Sequence, residues 1–174
     1  MSITYTTYIS QIANLTVISS NDTNFQTMVP GMIDYAEGRT YRELDLLTTR
    51  VTTTVSLSSG VRSVALSTTS GYYRVVENLN VITSTAATTV NGTRSPVVMT
   101  SRDFIDNVYP SGVDNTGIPL FAAMASDTTL IFGPSPYAGY TLEVAGTIQP
   151  TPLSSTQTTT FLTDNLADVF IAAS

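Results

Sequence analysis

Pro30-Gly-Met-Ile-Asp-Tyr-Ala-Glu-Gly-Arg-Thr-Tyr-Arg-Glu-Leu-Asp-Leu-Leu47 is followed, after Arg50, by Val51-Thr-Thr-Thr-Val55-Ser-Leu57. The change of period between these stretches decides the fold. In the first, Met32, Ile33, Ala36, Thr40, Leu44 and Leu47 recur about every 3.6 residues, which predicts a helix over 30–47. Pro30 suits its first position, where the missing N–H costs nothing. The opposite face carries Asp34, Glu37, Arg39, Arg42, Glu43 and Asp45, with Arg39/Glu43 at i,i+4 and Arg42/Asp45 at i,i+3. These charges read as a solvated or interface face and require no site chemistry. The second stretch alternates with period two and predicts a strand.

Working upstream, Phe25, Met28 and Val29 read as a short helical turn ahead of Pro30, behind a break at Ser19-Ser20-Asn21-Asp22. Residues 3–18 read as a short amphipathic helix or arm with Ile9, Ile12, Ala13 and Leu15 near one stripe. Downstream, Ser58-Ser59-Gly60 predicts a turn and Val61 to Leu66 the return strand of a hairpin. Tyr72 to Ile82 is a third strand, a polar segment turns at Asn91-Gly92, and Pro96 to Met99 is extended again. Ser101 caps a short helix from Arg102 to Val108. After a loop over 109–117, Leu120–Ala125, Thr128–Phe132 and Tyr140–Ile148 are strand candidates, with Gly133-Pro-Ser-Pro136 as the turn between the last two. Pro150-Thr-Pro152 ends the sheet. Thr159 to Ser174 reads as one helix with Leu162, Leu166, Val169, Phe170 and Ala173 on a stripe. That pattern stops at Ile171-Ala-Ala-Ser174 without a cap signal, which predicts that the native chain continues.

Helices near both chain ends with strands between them predict an α+β fold: a helical part, 1–49 and 159–174, and a β-rich part, 50–149, of antiparallel strands with a short helix at about 101–108. All 174 residues read as one domain.

Only 11% of residues are charged, against about 25% in a typical soluble domain. Threonine and serine supply the polar surface instead, and every cation is an arginine. Such a surface is poorly protected against self-association and suits a chain covered by neighbours in an assembly, or it reflects the compositional habit of the source. The net charge of −6 argues against a dedicated DNA-binding domain. An acidic wall still lets a polyanion slide past without sticking, because phosphate affinity comes largely from Lys and Arg. No apolar run reaches the roughly 18–20 residues of a membrane span, and the N-terminus lacks signal-peptide regions, so no membrane partner is expected.

With no histidine, cysteine or lysine in the chain, Ser–His–Asp, Cys–His and Ser–Lys catalysts and a P-loop are excluded, and zinc sites are unexpected. Asp114-Asn115-Thr116-Gly117 is an imperfect echo of an acid-protease turn and reads as a plain turn. No spacing singles out a glycosidase pair among the thirteen acidic residues. No catalytic residue, metal site or cofactor is predicted, and the chain is not expected to be an enzyme. Tyr35, Tyr41, Tyr137 and Tyr140 could anchor a partner or fill half-buried edges of a small core.

The stretch Pro30 to Leu47 resembles the second helix of tailed-phage head-to-tail adaptor (connector) proteins. In that family a Pro-led helix with an Ala-Glu-x-Arg-x-x-Arg-x-Leu core, here Ala36, Glu37, Arg39, Arg42 and Leu44, runs into a β-hairpin. Four features agree in order: Arg94-Ser-Pro-Val-Val-Met-Thr-Ser-Arg-Asp-Phe104; Gly117-Ile-Pro119; Leu130-Ile-Phe-Gly-Pro-Ser-Pro136 leading to Tyr140-Thr-Leu-Glu143; and Pro150-Thr-Pro-Leu-Ser154 followed by Phe161-Leu-Thr-Asp-Asn165. They span residues 22 to 174. The C-terminal helix is shorter here than in relatives.

The resemblance implies a helical bundle with an inserted β-rich region. It implies a twelve-copy ring in the virion neck, assembled in the host cytoplasm, with portal protein on one side and tail or neck proteins on the other. Genomic DNA would pass through its channel without sequence-specific binding. Exposure by pattern puts Arg39, Arg42 and Glu43 of the long helix and the loop residues Asn91 and Arg94 at the interfaces. The competing expectation is a β-rich tail-fibre or receptor- or carbohydrate-binding module, which Thr-rich strands suit and the two apolar-striped helices do not.

Overall fold

The computed structural model describes residues 2–44, 46–83 and 92–174. It is a mixed α+β fold with five helices and a large, mostly antiparallel sheet among those residues. The chain divides into two compact units, Met1–Thr49 with Pro150–Ser174, and Arg50–Gln149.

In the first unit, α1 (Tyr5–Thr16), α2 (Thr23–Glu43), α4 (Phe161–Asn165) and α5 (Ala167–Ala173) share one apolar core. Helix α1 buries Tyr8, Ile12 and Ala13, while Leu15, expected on the same stripe, is exposed. Tyr8 stacks on Phe170 of α5 with ring centroids 4.9 Å apart. The amide of Ile3 donates to the Thr163 carbonyl and that of Tyr5 to the Thr158 carbonyl, which ties the two chain ends together.

Helix α2 corrects the expected boundaries at both ends. It starts at Thr23, where the Asp22 side chain accepts from the Phe25 amide at 2.9 Å, and it runs through Pro30. An internal proline removes one backbone hydrogen bond and costs about 3 kcal/mol. The helix survives because Pro30 faces outward while Phe25, Val29, Ile33, Ala36 and Thr40 bury a continuous stripe across the break. It ends at Glu43, four residues early: Leu44 turns to extended backbone, and Leu46 packs against the core in place of Leu44 and Leu47. Leu47, in a 3-10 turn over Leu47–Thr49, is left 80% exposed.

The C-terminal helix is also corrected, since the chain breaks at Leu166 (φ −132°, ψ 38°) into α4 and α5. The break lets Leu162 and Thr163 of α4, and Ala167 and Phe170 of α5, reach the same core. Val169 is turned outward.

In the second unit, seven strands form one sheet in the order β1-β9-β3-β4-β6-β7-β2. They are β1 (Arg50–Leu57), β2 (Ser63–Ala65), β3 (Gly71–Ile82), β4 (Arg94–Met99), β6 (Phe121–Ser126), β7 (Thr129–Gly133) and β9 (Tyr140–Pro150). The expected hairpin of β1 with the following strand does not form. β1 runs along β9, from Arg50 opposite Thr147 to Leu57 opposite Tyr140, and β2 pairs with β7 at the other end of the order. The connection is held elsewhere: Ser59 Oγ donates to the Tyr137 carbonyl and the Gly60 amide to the Pro136 carbonyl, both at 2.8 Å. Gly60 takes a left-handed φ of 73° there, open to glycine at little cost.

The strands are not all antiparallel. β4 and β6 run parallel, as do the two-residue strands β5 (Thr116–Gly117) and β8 (Ser135–Pro136), the latter lying inside the expected turn. A parallel pair needs a crossover. The Ser101-capped helix α3 (Arg102–Val108) supplies it and packs Ile105 against Ala123 and Ile131. The sheet's own core is built from Leu57, Leu79, Val81, Val97, Leu130, Phe132, Leu142 and Val144.

Gly146 on β9 lets β3 approach closely. A Cβ at that position would collide with the carbonyl oxygen of Val75 and crowd the Tyr73 ring. The Tyr73 hydroxyl shares a 2.6 Å hydrogen bond with the Thr53 hydroxyl on β1, beyond β9. Gly146→Ala should therefore destabilise the protein by about 1–3 kcal/mol, because the obstacle is backbone and cannot swing aside. Urea denaturation measures it, and a loss under about 0.5 kcal/mol would remove the close-approach account.

Candidate assembly interface

The outward face of α2 carries Asp34, Arg39, Arg42 and Glu43 of the charges that the sequence pattern places there. Arg39 Nε donates to Glu43 Oε1 at 2.9 Å, with both side chains about half exposed. Glu43 raises the Arg39 pKa further through that bond. Arg42 is exposed and donates from Nε to the Gly38 carbonyl at 3.1 Å. Its expected partner Asp45 lies outside the described residues, as does Asn91. An exposed ion pair of this kind adds little to stability, so these groups are available to a partner without loss to the fold.

Arg94 is placed differently from expectation. It opens strand β4, opposite Ile82 of β3, because the ladder starts there; it is not a loop residue. Its Nε and Nη2 grip both oxygens of Glu143 on β9, at 2.9 and 2.8 Å. Asn80 of β3 donates to the same carboxylate at 3.1 Å. Arg94 and these hydrogen bonds hold the Glu143 carboxyl below its usual range, against a smaller desolvation effect. A similar arrangement anchors α3: Arg62 and Arg102 both reach Asp106, at 2.5 and 3.3 Å, and lower its pKa. So the structure brings Arg39 and Glu43 together on α2, leaves Arg42 beside them, and puts Arg94 in the other unit within a cross-strand charge cluster.

Glu37 was expected on the solvated face and is buried, with 2% of its surface exposed. Its Oε1 accepts from the Leu153 amide at 3.1 Å, fastening the segment after Pro150 to α2. Burial pushes its carboxyl up to about 7, against the lowering effect of the Leu153 bond, and Asp34 adds to the rise. The nearby Tyr41 and Tyr8 hydroxyls are raised chiefly by burial, with the Glu37 charge contributing. The signal was present in the spacing: Glu37 follows Val29 and Ile33 at intervals of four, on the buried stripe.

Asp114 sits in a local turn, accepting from Ser111 Oγ at 2.9 Å while its own amide donates back to that oxygen. Among the described residues there is no group of three acidic side chains able to hold a metal ion, and no helix long and apolar enough to cross a membrane. A shallow groove of about 300 Å³ lies between the end of α2 and α5, lined by Arg39, Thr40, Glu43, Leu44, Val169, Ala172 and Ala173.

No curated protein matches the sequence. The family model described as SU10 adaptor protein matches residues 3–174, nearly the whole chain. The chain belongs to the SU10 adaptor protein family, a family of phage adaptors.

Proposed function

We propose that this chain is a structural virion protein, a head-to-tail adaptor that forms a ring beneath the portal and joins head to tail around the DNA channel. The observation that carries the reading is the family match over residues 3–174. In this reading the chain acts as one adaptor domain in which the helices of the first unit form a bundle and the β-rich unit decorates it. Its partners are portal protein, tail or neck proteins and further copies of itself, twelve in the ring. The chain works as a scaffold and not as an enzyme.

Physical features support the reading. The low charge and hydroxyl-rich surface suit burial between neighbours. The net charge of −6 suits a channel through which DNA slides. Arg39, Arg42, Glu43, Asn91 and Arg94 are proposed interface residues. Arg42→Ala should leave the monomer's circular dichroism and melting temperature unchanged while weakening ring assembly roughly tenfold, as for truncation of an arginine at an interface. A monomer that unfolds instead would make Arg42 structural.

Negative-stain electron microscopy of the protein mixed with portal assemblies of the same phage tests the function. A second ring stacked under the portal, at matching symmetry, is expected. Bare portals, with the protein on tail tips or fibres, would replace the adaptor reading with a fibre or receptor-binding module.

A further inference from the structure

Strand β4 is shorter than the two strands it separates. It pairs with β3 only from Leu79 to Ile82, and with β6 only at Phe121 and Ala122. After Met99 the chain leaves the sheet for α3, while β3 reaches back to Gly71 and β6 runs on to Ser126 through a bulge at Met124/Ser126. Stepping the β3–β4 register five places from Leu79 and Val97 puts Arg74 opposite the place that residue 102 would take in a longer β4. No strand fills that place. A cleft of about 590 Å³ opens there, lined by residues 72–74 on one side and 124–127 on the other. At 3.3 Å per residue, 4.8 Å between strands and 10 Å between sheets, a strand of four residues fills about 600 Å³. Among the described residues, no backbone hydrogen bond outside the strand ladders reaches residues 72–77 or 123–127. Tyr72 and Val75 of β3 are left more than half exposed.

We infer that this cleft binds an extended peptide segment of another protein, which fills the sheet beyond β4 and carries an acidic residue followed, two positions on, by a basic one. The backbone selects the extended form. Two strand edges flank the cleft, and an occupant without a peptide backbone would bury their N–H and C=O groups unpaired. A strand inserted between two others pairs with both, as in the addition of a peptide strand to an open sheet edge. Continuing the ladders already begun sets its direction, antiparallel to β3 and parallel to β6. The side chains select its charges. Arg74 donates to the neutral Gln149 side chain on β9 and has no carboxylate partner among the described residues. Asp127, just past the end of β6, has neither a hydrogen bond nor an ion pair among them. A strand running as β4 does passes Arg74 first, then Tyr72 on one side and Asp127 on the other. A carboxylate beside Arg74, and two residues later a cation between the Tyr72 ring and Asp127, would pair both charges as they leave water.

Two fluorescein-labelled peptides test it, Thr-Val-Glu-Val-Lys-Thr and its charge-exchanged counterpart Thr-Val-Lys-Val-Glu-Thr. Each is titrated with the full chain and read by fluorescence anisotropy at low salt. Expected is saturable binding of the first, with the second at least tenfold weaker. Methylating the backbone nitrogens of the first peptide removes its ladder donors and should abolish binding. The double variant Arg74→Glu, Asp127→Lys should reverse the preference, and its circular dichroism should match wild type because both side chains are exposed. Equal affinity for the two peptides, or binding that survives methylation, would overturn the inference without any variant having to fold. Failure of the first peptide to bind at about 1 mM would overturn it too. Self-association of the chain that the double variant abolishes, with neither peptide bound, would assign the cleft to a second copy and overturn it likewise.

Discussion

Replacing Phe170 by alanine is expected to lower the stability of the protein by about 3–5 kcal/mol, the cost of emptying a large aromatic site that cannot collapse. Phe170 is fully buried at the centre of the helical unit and stacks on Tyr8, with planes 22° apart. The Tyr8 hydroxyl donates to Ser174 Oγ at 2.7 Å, and Ser174 Oγ donates to the Phe170 carbonyl at the same distance. The ring thus holds α1 against α5, and a cavity there also loosens the hydrogen bonds that fasten the chain end. Phe170→Leu keeps most of the volume and should lose less than half as much. Urea titration of both variants measures the difference. If Phe170→Ala lost under about 1 kcal/mol, the α1–α5 core as described would be wrong.

Replacing Glu37 by glutamine is expected to stabilise the protein by about 3 kcal/mol at pH 8, from a carboxyl raised from 4.5 to about 7 at roughly 1.4 kcal/mol per unit. Burial is the main cause of the rise. The folded chain therefore holds a proton on Glu37 between pH 4.5 and 7 that the unfolded chain has lost. The stability this proton contributes is complete below pH 4.5 and is lost as pH rises through 7. Glutamine keeps an oxygen for the Leu153 amide and carries no charge to desolvate. The wild type should lose stability from pH 5 to 8, and the variant should lose much less. Asp106 and Glu143 act in the opposite sense, since their lowered carboxyls stabilise above the unfolded values and lose that effect in acid. Denaturation midpoints at several pH values check the sign, and a variant no more stable than wild type at pH 8 would remove the desolvation account.

Local elements with one dominant determinant were legible in the sequence. Ser101 before an Asp in the first turn placed α3 at Arg102–Val108, because its side chain accepts from the Phe104 amide without help from the rest of the fold. Period-two alternation placed β1, and β-rich stretches placed β3 and β9, each to within a residue or two. On the outward face of α2, i,i+4 spacing predicted the Arg39–Glu43 pair, which depends on one helix alone. Glu37 was misread because its charge was weighed above its position on the stripe. Sequence distance favoured β1 with β2, whereas hydrogen bonds from 59–60 to the chain at 136–137 direct β1 to β9.

What the sequence by itself determined was the α+β order, the absence of His-, Cys- and Lys-based chemistry, the charged face of α2 and the adaptor resemblance. The first three are properties of composition or of neighbours a few residues apart, and the resemblance rests on the order of motifs from residue 22 to 174. Only the tertiary structure decided that Pro30 stays inside α2, that the last helix breaks at Leu166, that β4 runs parallel to β6, and that Val17 is held exposed in a left-handed turn. In the first three cases a long-range contact outweighs a local preference of a few kcal/mol, whereas the Val17 turn is closed by hydrogen bonds to Ala13 and Asn14 within its own helix. Long-range contacts form between residues far apart in the chain, so no window of sequence displays them.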